Sequence, residues 1–141
     1  MARWSRGAVA VLVLLAAHSC ALVGNRGEGD VVEKGGRFVL VAPEDISEAG
    51  VGFAVSRLRL VGDCVGLDFG DGRTAVAIWP HGTEWVSTQP LAIDVPGLGR
   101  VDDGDALVGG GTDYEGPHPL SGIEVPSTCR AARLVSFTPQ R

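Results

Sequence analysis

The sequence predicts an all-β fold, a small barrel or sandwich of about six to eight short strands with one disulfide. Glycine occurs 21 times in 141 residues, and many of these glycines stand beside Asp, Asn or another Gly. Such residues are typical of tight turns between short strands. No segment shows the apolar periodicity of an amphipathic helix. An OB-like barrel is favoured, because glycine-rich strands and a bend near Ser56 would let the strands coil.

The N-terminal segment predicts export. Residues 1–6 carry two arginines, and residues 7–17 form an uninterrupted run of small and apolar side chains. A charged stretch followed by an apolar stretch of this length is typical of a signal peptide and is too short to span a bilayer as a stable helix. We therefore expect a leader over residues 1–21 and an extracytoplasmic mature protein.

Cys20 leaves the processing of this leader open. Cleavage before Cys20 would make it a lipidated first residue and anchor the protein at the outer face of the cell membrane, whereas cleavage after Ala21 would release a secreted protein. The segment resembles a bacterial lipoprotein signal at Ser19 and Cys20. It departs from that signal at Ala17, where Leu is usual, and at His18, where a small residue is usual. A retained, uncleaved anchor is a third alternative.

Residues 22–36 are predicted to form a flexible tether, followed by a β-domain over residues 37–141. The tether segment is polar, rich in glycine and aperiodic, as flexible linkers are. Of the 12 Lys and Arg residues in the chain, two lie in the leader, which leaves ten against 17 acidic residues and a formal charge of −7. This acidity argues against nucleic-acid binding, which needs a basic patch. It also argues against contact with anionic lipid other than through a lipid anchor on Cys20.

The centre of the predicted domain is a hairpin whose arms are residues 64–69 and 74–79. Asp71 and Gly72 favour a two-residue turn, because a type I′ turn needs a positive φ at both positions. This turn predicts that Cys64 lies opposite Trp79. A longer loop over residues 70–72 would shift the pairing. In the predicted register the core face carries Val65, Leu67, Val76 and Ile78.

Cys64 and Cys129 are predicted to form a disulfide that ties the final strand, residues 129–137, to this hairpin. They are the two cysteines that follow the leader, and an exported domain occupies an oxidising compartment. A reactive thiol would need a CxxC spacing or a base partner. Neither is visible in the sequence.

Aromatic side chains after the hairpin indicate a possible binding groove. Trp79 and Trp85 flank the Trp-Pro corner, and Tyr114 lies in a predicted surface loop over residues 109–119. Stacking on such side chains would suit a sugar or peptide ligand. The alternative is ordinary packing, with the Trp79 indole over the disulfide.

His81 and His118 are the histidines outside the leader. Together with Glu84, Asp113 or Glu115 they would offer a mixed set of metal ligands. Their spacing matches no known ligand motif, and each lies next to a proline, so exposed turns are the favoured interpretation. We expect no cofactor and assign no metal site or catalytic residue.

A series of structural motifs runs from residue 58 to residue 137. It consists of Cys64, the run Trp79-Pro80-x-Gly82-Thr83, the pair Gly104-Asp105, a Gly-Gly pair and Cys129. The series resembles small, uncharacterised exported proteins and lipoproteins of actinobacteria. The resemblance implies the same compact β-domain and brings no catalytic residues.

These observations predict a non-enzymatic binding or interaction module of the cell envelope, whose partner is an envelope component or another protein. The alternative is a small hydrolase or metal-dependent enzyme that uses His81, Glu84 and His118. That alternative requires the three side chains to meet Trp85 in one pocket. A structural envelope protein without a ligand pocket is the third possibility.

Overall fold

The computed structural model describes residues 29–44, 51–52, 55–114, 123–130 and 132–140. Within these ranges the regular structure is β-strand, apart from one short 3-10 helix, which confirms the all-β prediction. The described part of the chain has fourteen strands rather than about six to eight, because several are pieces of only two or three residues. The sheets form no closed barrel within these ranges. None of the described residues belongs to a helix long and apolar enough to cross a membrane.

The strands divide among three sheets. In chain order the elements are β1 (Asp30–Lys34), β2 (Arg37–Val41), β3 (Val51–Gly52), β4 (Ser56–Val61), β5 (Cys64–Asp68), β6 (Thr74–Trp79), β7 (Glu84–Thr88), β8 (Leu91–Val95), β9 (Gly99–Asp102), β10 (Ala106–Leu107), β11 (Gly109–Gly111), β12 (Asp113–Tyr114), the 3-10 helix η1 (Ser127–Cys129), β13 (Arg133–Ser136) and β14 (Thr138–Pro139). The main sheet has the order β10-β4-β5-β2-β6-β13-β12, with β1 paired to β2. Two smaller sheets have the orders β14-β11-β3 and β7-β8-β9.

β1 lies in the segment that the sequence assigned to a flexible tether. It pairs antiparallel with β2 over five consecutive positions, from Asp30 opposite Val41 to Lys34 opposite Arg37. The two-residue turn between the strands has φ values of 60° and 76°, which its two glycines adopt without strain. The folded domain therefore begins before the predicted residue 37.

The β5–β6 hairpin has a three-residue loop instead of the predicted two-residue turn. The Phe69 N–H donates to the Arg73 carbonyl at 3.0 Å, so residues 70–72 form the loop. Leu67 consequently lies opposite Ala75, one residue away from the predicted pairing. A shift of one residue exchanges the faces of a strand relative to its partner, so the predicted register was wrong.

β2 separates the two arms of this hairpin beyond their paired part. The arms pair directly only over residues 66–68 and 74–76. At the ends of the arms away from the loop, β2 lies between them. It forms one bridge to β5, at Phe38 and Cys64, and then runs parallel to the last two residues of β6. β13 runs parallel to the other side of β6. Central strands with parallel neighbours are commonly covered on both faces, and the last five residues of β6 are all buried.

The central strands accordingly separate two clusters of buried side chains. The first core cluster includes Val39, Val41, Leu58, Val65, Leu67, Ala75, Ala77, Trp79, Ile93, Val135 and Phe137. The second core cluster consists of Leu40, Cys64, Val76, Ile78, Ile123 and Cys129. The four residues predicted to share one core face are therefore divided between the two clusters.

The predicted disulfide between Cys64 and Cys129 is present. It joins the first residue of β5 to the last residue of η1, and both cysteines are buried. Cys129 does not belong to the final strand, as the sequence had indicated, because β13 begins only at Arg133. A structural disulfide is compatible with an oxidising compartment outside the cytoplasm.

Candidate functional site

A groove of about 640 Å³ lies between β1 and the start of β7. We call it the β1–β7 groove. Three parts of the chain contribute its walls: β1 with the residue before it, the end of β2, and the turn that leads into β7. Its lining residues are Gly29, Asp30, Val32, Glu33, Lys34, Val41, Ala42, His81, Gly82, Thr83, Glu84 and Trp85.

The turn between β6 and β7 fixes one wall of the groove. Pro80 ends β6, since proline cannot continue a central ladder. The Pro80 carbonyl then accepts two hydrogen bonds from Thr83, one from its N–H at 3.1 Å and one from its hydroxyl at 2.7 Å. Thr83 is buried, while His81 and Glu84 on either side of it are exposed. This closed turn therefore places an imidazole and a carboxylate on the rim of the groove.

Trp85 connects the two sides of the groove. Its indole Nε1–H donates to the Val32 carbonyl at 3.0 Å, which links β7 to β1. The ring is half-buried and packs against the first core cluster. Because the indole also lines the groove, it offers a fixed aromatic surface beside the apolar side chains of Val32 and Val41.

The rim of the groove is acidic. Asp30, Glu33 and Glu84 face a single basic residue, Lys34, and all four side chains are exposed. The described lining residues therefore carry a formal charge of −2 without His81. An apolar floor inside an acidic rim is complementary to a ligand that joins apolar surface to a positive charge.

Trp79 is not available to a ligand, in contrast to its predicted role. It is fully buried, and its Nε1–H donates to the Val65 carbonyl at 3.2 Å. Its ring packs on Phe137, with 5.2 Å between the ring centroids. It also does not cover the disulfide, because Trp79 belongs to the first core cluster and both cysteines to the second.

The structure brings three of the other predicted residues together. His81, Glu84 and Trp85 all line the β1–β7 groove. The corner after β6 therefore contributes to the wall of this groove, and a role of these residues in ligand binding stays a prediction. It supplies only one wall, because the opposite wall comes from β1.

Three predicted residues can be placed only in part or not at all. The backbone of Tyr114 lies in β12, paired with Leu134, rather than in the predicted loop. His118 and Cys20 lie outside the described residues. The proposed meeting of His118 with His81 and Glu84 and the lipidation of Cys20 thus stay predictions.

Sequence reasoning missed the contribution of β1. Asp30, Val32, Glu33 and Lys34 were assigned to a tether, although they supply a third of the groove lining. The available signal was the pair of valines in Asp-Val-Val-Glu-Lys, followed at once by two glycines and a second β-rich run. That arrangement is typical of a short hairpin.

A second groove, of about 470 Å³, lies on the other face of β1. We call it the disulfide-side groove, because its far wall includes the first residue of η1. Its lining residues are Asp30, Val31, Glu124, Val125, Pro126, Ser127 and Arg130. The guanidinium of Arg130 has local partners here: its Nε donates to the Val125 carbonyl at 2.9 Å, and its Nη2 lies 3.5 Å from Glu124.

Metal-ligating side chains do not cluster in the described part of the chain, where no three His, Cys, Asp or Glu residues are placed to hold an ion. The acidic run at residues 102–105 is a hydrogen-bonded turn. In it the Asp105 N–H donates to the Asp102 carbonyl at 3.0 Å, and the Asp102 N–H donates to the Asp105 carboxylate at 2.8 Å.

Comparison with known proteins identifies no relative. No family model, curated protein or solved structure matches the chain. The chemistry of the two grooves is therefore the basis on which a function can be inferred.

Proposed function

We propose that the protein is a non-enzymatic binding module of the cell envelope that holds a cationic ligand in the β1–β7 groove. The observation that carries this proposal is the combination of the half-buried Trp85 with three rim carboxylates, Asp30, Glu33 and Glu84. The groove volume of about 640 Å³ is typical of small-molecule and peptide sites. The aromatic and aliphatic floor provides contact area, and the carboxylates select for positive charge.

The proposed location is outside the cytoplasm. The signal-peptide pattern of residues 1–21 and the buried disulfide support it. Lipidation of Cys20 would hold the domain at the outer face of the membrane, where an envelope component or an envelope protein would be its partner. Mass spectrometry of the mature N-terminus tests this, and an unmodified terminus at Leu22 would contradict the lipid anchor.

The binding proposal can be tested by NMR on the ¹⁵N-labelled protein purified from cells that express the full chain. The probes are benzylamine and benzoate, which share a ring and differ in the sign of their charge. Benzylamine is expected to shift the indole N–H signal of Trp85 saturably at millimolar concentration, and benzoate is expected to leave it unchanged. The signal is assigned from its loss in Trp85→Phe.

Two charge variants provide the matched comparison. Glu84→Gln removes one rim carboxylate and should weaken benzylamine binding about threefold, which corresponds to about 0.6 kcal/mol for a solvent-exposed pair. Asp71→Asn removes a carboxylate from the β5–β6 loop, which does not line the groove, and should leave binding unchanged. An absent response to benzylamine, or an equal response to benzoate, would contradict the proposal.

A small metal-dependent hydrolase is the second candidate, because His81 and Glu84 lie on the same rim. This activity would need at least one further ligand, for which the sequence offers His118. Titration with Zn²⁺ should then shift the ring signals of both histidines at micromolar concentration, and His81→Ala should abolish the effect. Broad, unsaturated shifts at millimolar Zn²⁺ would exclude this candidate.

A further inference from the structure

The outer edge of β1 carries backbone groups that β2 does not use. On β2, the Phe38 N–H donates to the turn between β4 and β5 and the Ala42 N–H donates to the last residue of β6, both at 2.8 Å. Alternate residues of β2 therefore direct their N–H groups away from β1. Since the antiparallel ladder alternates in the same way, Val31 and Glu33, which lie opposite Leu40 and Phe38, direct their backbone groups to the outer edge.

This edge lacks two of the features that usually prevent strand pairing, although three of its five side chains are charged. Natural edge strands are commonly protected by proline, by bulges or by charged side chains along the strand. β1 contains no proline, and its register with β2 is continuous over five positions. β7, by contrast, has a register shift between Trp85 and Ser87. Within the described residues, β1 forms a ladder of backbone hydrogen bonds only with β2, and its link to β7 is the side-chain hydrogen bond from Trp85.

The two grooves lie on opposite faces of this same strand. Val32 lines the β1–β7 groove and packs against the first core cluster, whereas Val31 lines the disulfide-side groove and packs against the second. Asp30, at the start of the strand, lines both grooves. A strand added beside β1 would alternate in the same way, because successive side chains point to opposite faces of a sheet. Every second side chain of an added strand would thus enter one groove and the remaining side chains the other.

We infer that the ligand is an extended segment of a partner protein that adds a strand to the outer edge of β1 and carries Lys or Arg at alternate positions. This inference rests on the proposed function and names the ligand class of the β1–β7 groove. Backbone hydrogen bonds to Val31 and Glu33 would provide affinity, and the two grooves would select the side chains. The Val31 N–H now donates to the Asp30 carboxylate at 2.8 Å, and a carbonyl of the added strand would replace it.

The charges around the edge indicate a basic segment. The described residues of the two grooves include four carboxylates, on Asp30, Glu33, Glu84 and Glu124, against the cations of Lys34 and Arg130. Because three of these carboxylates lie on the rim of the β1–β7 groove, the basic side chains are expected on the face of the added strand that points into it.

The test uses a capped eight-residue peptide in which Lys and Val alternate, together with two isomers whose backbone nitrogens are methylated either on every Lys or on every Val. Strand pairing uses the N–H groups of alternate residues only. One isomer should therefore lose at least about tenfold in affinity, and the other should bind within about threefold of the parent. On binding, amide exchange of Val31 and Glu33 should slow, while that of Val32, which already faces β2, should not change.

Four outcomes would overturn the inference. Equal binding of both N-methylated isomers would mean that side chains alone make the contact. Equal binding of a matched Glu-Val peptide would remove the charge argument. Failure of the Lys-Val peptide to bind, when benzylamine still shifts the Trp85 signal, would refute strand addition and leave the proposed binding function intact. Failure of both probes would refute the two proposals together.

Discussion

Removal of the disulfide is expected to cost this domain about 4 kcal/mol of its free energy of unfolding. The bond joins Cys64 and Cys129 across a sequence separation of 65 residues. In the chain-entropy model, closure of a loop of that length lowers the entropy of the unfolded chain by about 14 cal/mol/K, or about 4 kcal/mol at 25 °C. Both cysteines are buried in the second core cluster, so replacement by alanine adds a further loss of packing. The total free energy of unfolding of a small domain is only about 5–15 kcal/mol.

The assay is urea denaturation of the Cys64→Ala/Cys129→Ala variant, monitored by far-UV circular dichroism and by tryptophan fluorescence, to which the buried Trp79 and the half-buried Trp85 contribute. The wild type with reductant should unfold near the midpoint of the variant, and the variant should not respond to reductant. If the free energy of unfolding fell by less than about 1 kcal/mol with an unchanged m-value, the reasoning would be refuted. The disulfide would then not reduce the conformational entropy of the unfolded chain by the amount that its loop length predicts.

Three further predictions concern substitutions with defined outcomes. Gly66→Ala puts a methyl carbon well inside contact distance of a carbonyl oxygen on β6, whereas Gly72→Ala meets no atom within 4 Å and carries only the cost of its φ of +83°. Gly66→Ala should therefore lower the Tm more, and equal losses in thermal melts would contradict this. Trp85→Phe removes the indole hydrogen bond to β1 and should accelerate amide exchange in β1 about fivefold. Exchange in β8 is the unaffected reference. Unchanged exchange in β1 would mean that this hydrogen bond does not stabilise the strand. Hydrogen bonds from Arg133 lower the pKa of Asp113, so this carboxylate stabilises the fold above its unfolded pKa and the contribution is lost as the pH falls through the folded pKa. Since both side chains are more than a third exposed, Asp113→Asn should remove less than about 1 kcal/mol. It should also flatten the stability profile as the pH falls below the usual pKa of an aspartate, and an unchanged slope would contradict the assignment.

The sequence was a good guide where the decisive residues are close together in the chain or are few in number. The disulfide followed from a count of cysteines after the leader. The strand end at Trp79 and the new strand at Glu84 followed from a turn in which proline ends one strand and the next begins four residues later. Such features depend on local chemistry, which a single sequence contains.

The hairpin register could not be determined in this way. Gly70, Asp71 and Gly72 satisfy both a two-residue turn and a three-residue loop with a glycine at each end. Register is normally specified by an apolar face opposite a polar one. Here β2 and β13 lie beside the hairpin and both of its faces are buried, so alternation provided no such signal.

The missing groove wall has a related explanation. The β1–β2 hairpin is local, but its place as a groove wall depends on the Trp85 indole, 53 residues further along, which donates to the Val32 carbonyl. The burial of Trp79 likewise depends on Phe137, which is distant in the chain. These long-range contacts leave no periodic pattern within the segment that they stabilise.

The position of β6 between β2 and β13 has a consequence for the order in which the domain can fold. When the chain emerges with its N-terminus first, β2, β5 and β6 are available before β13 and Cys129. The backbone N–H and C=O groups on one side of β6 then have no partner strand, which makes the incomplete sheet prone to wrong pairing. Parallel pairing between such distant segments is also slow to form. The arrival of residues 133–136 thus acts as the closing step, and a stop codon shortly before them would remove a central strand of the main sheet rather than trim an edge.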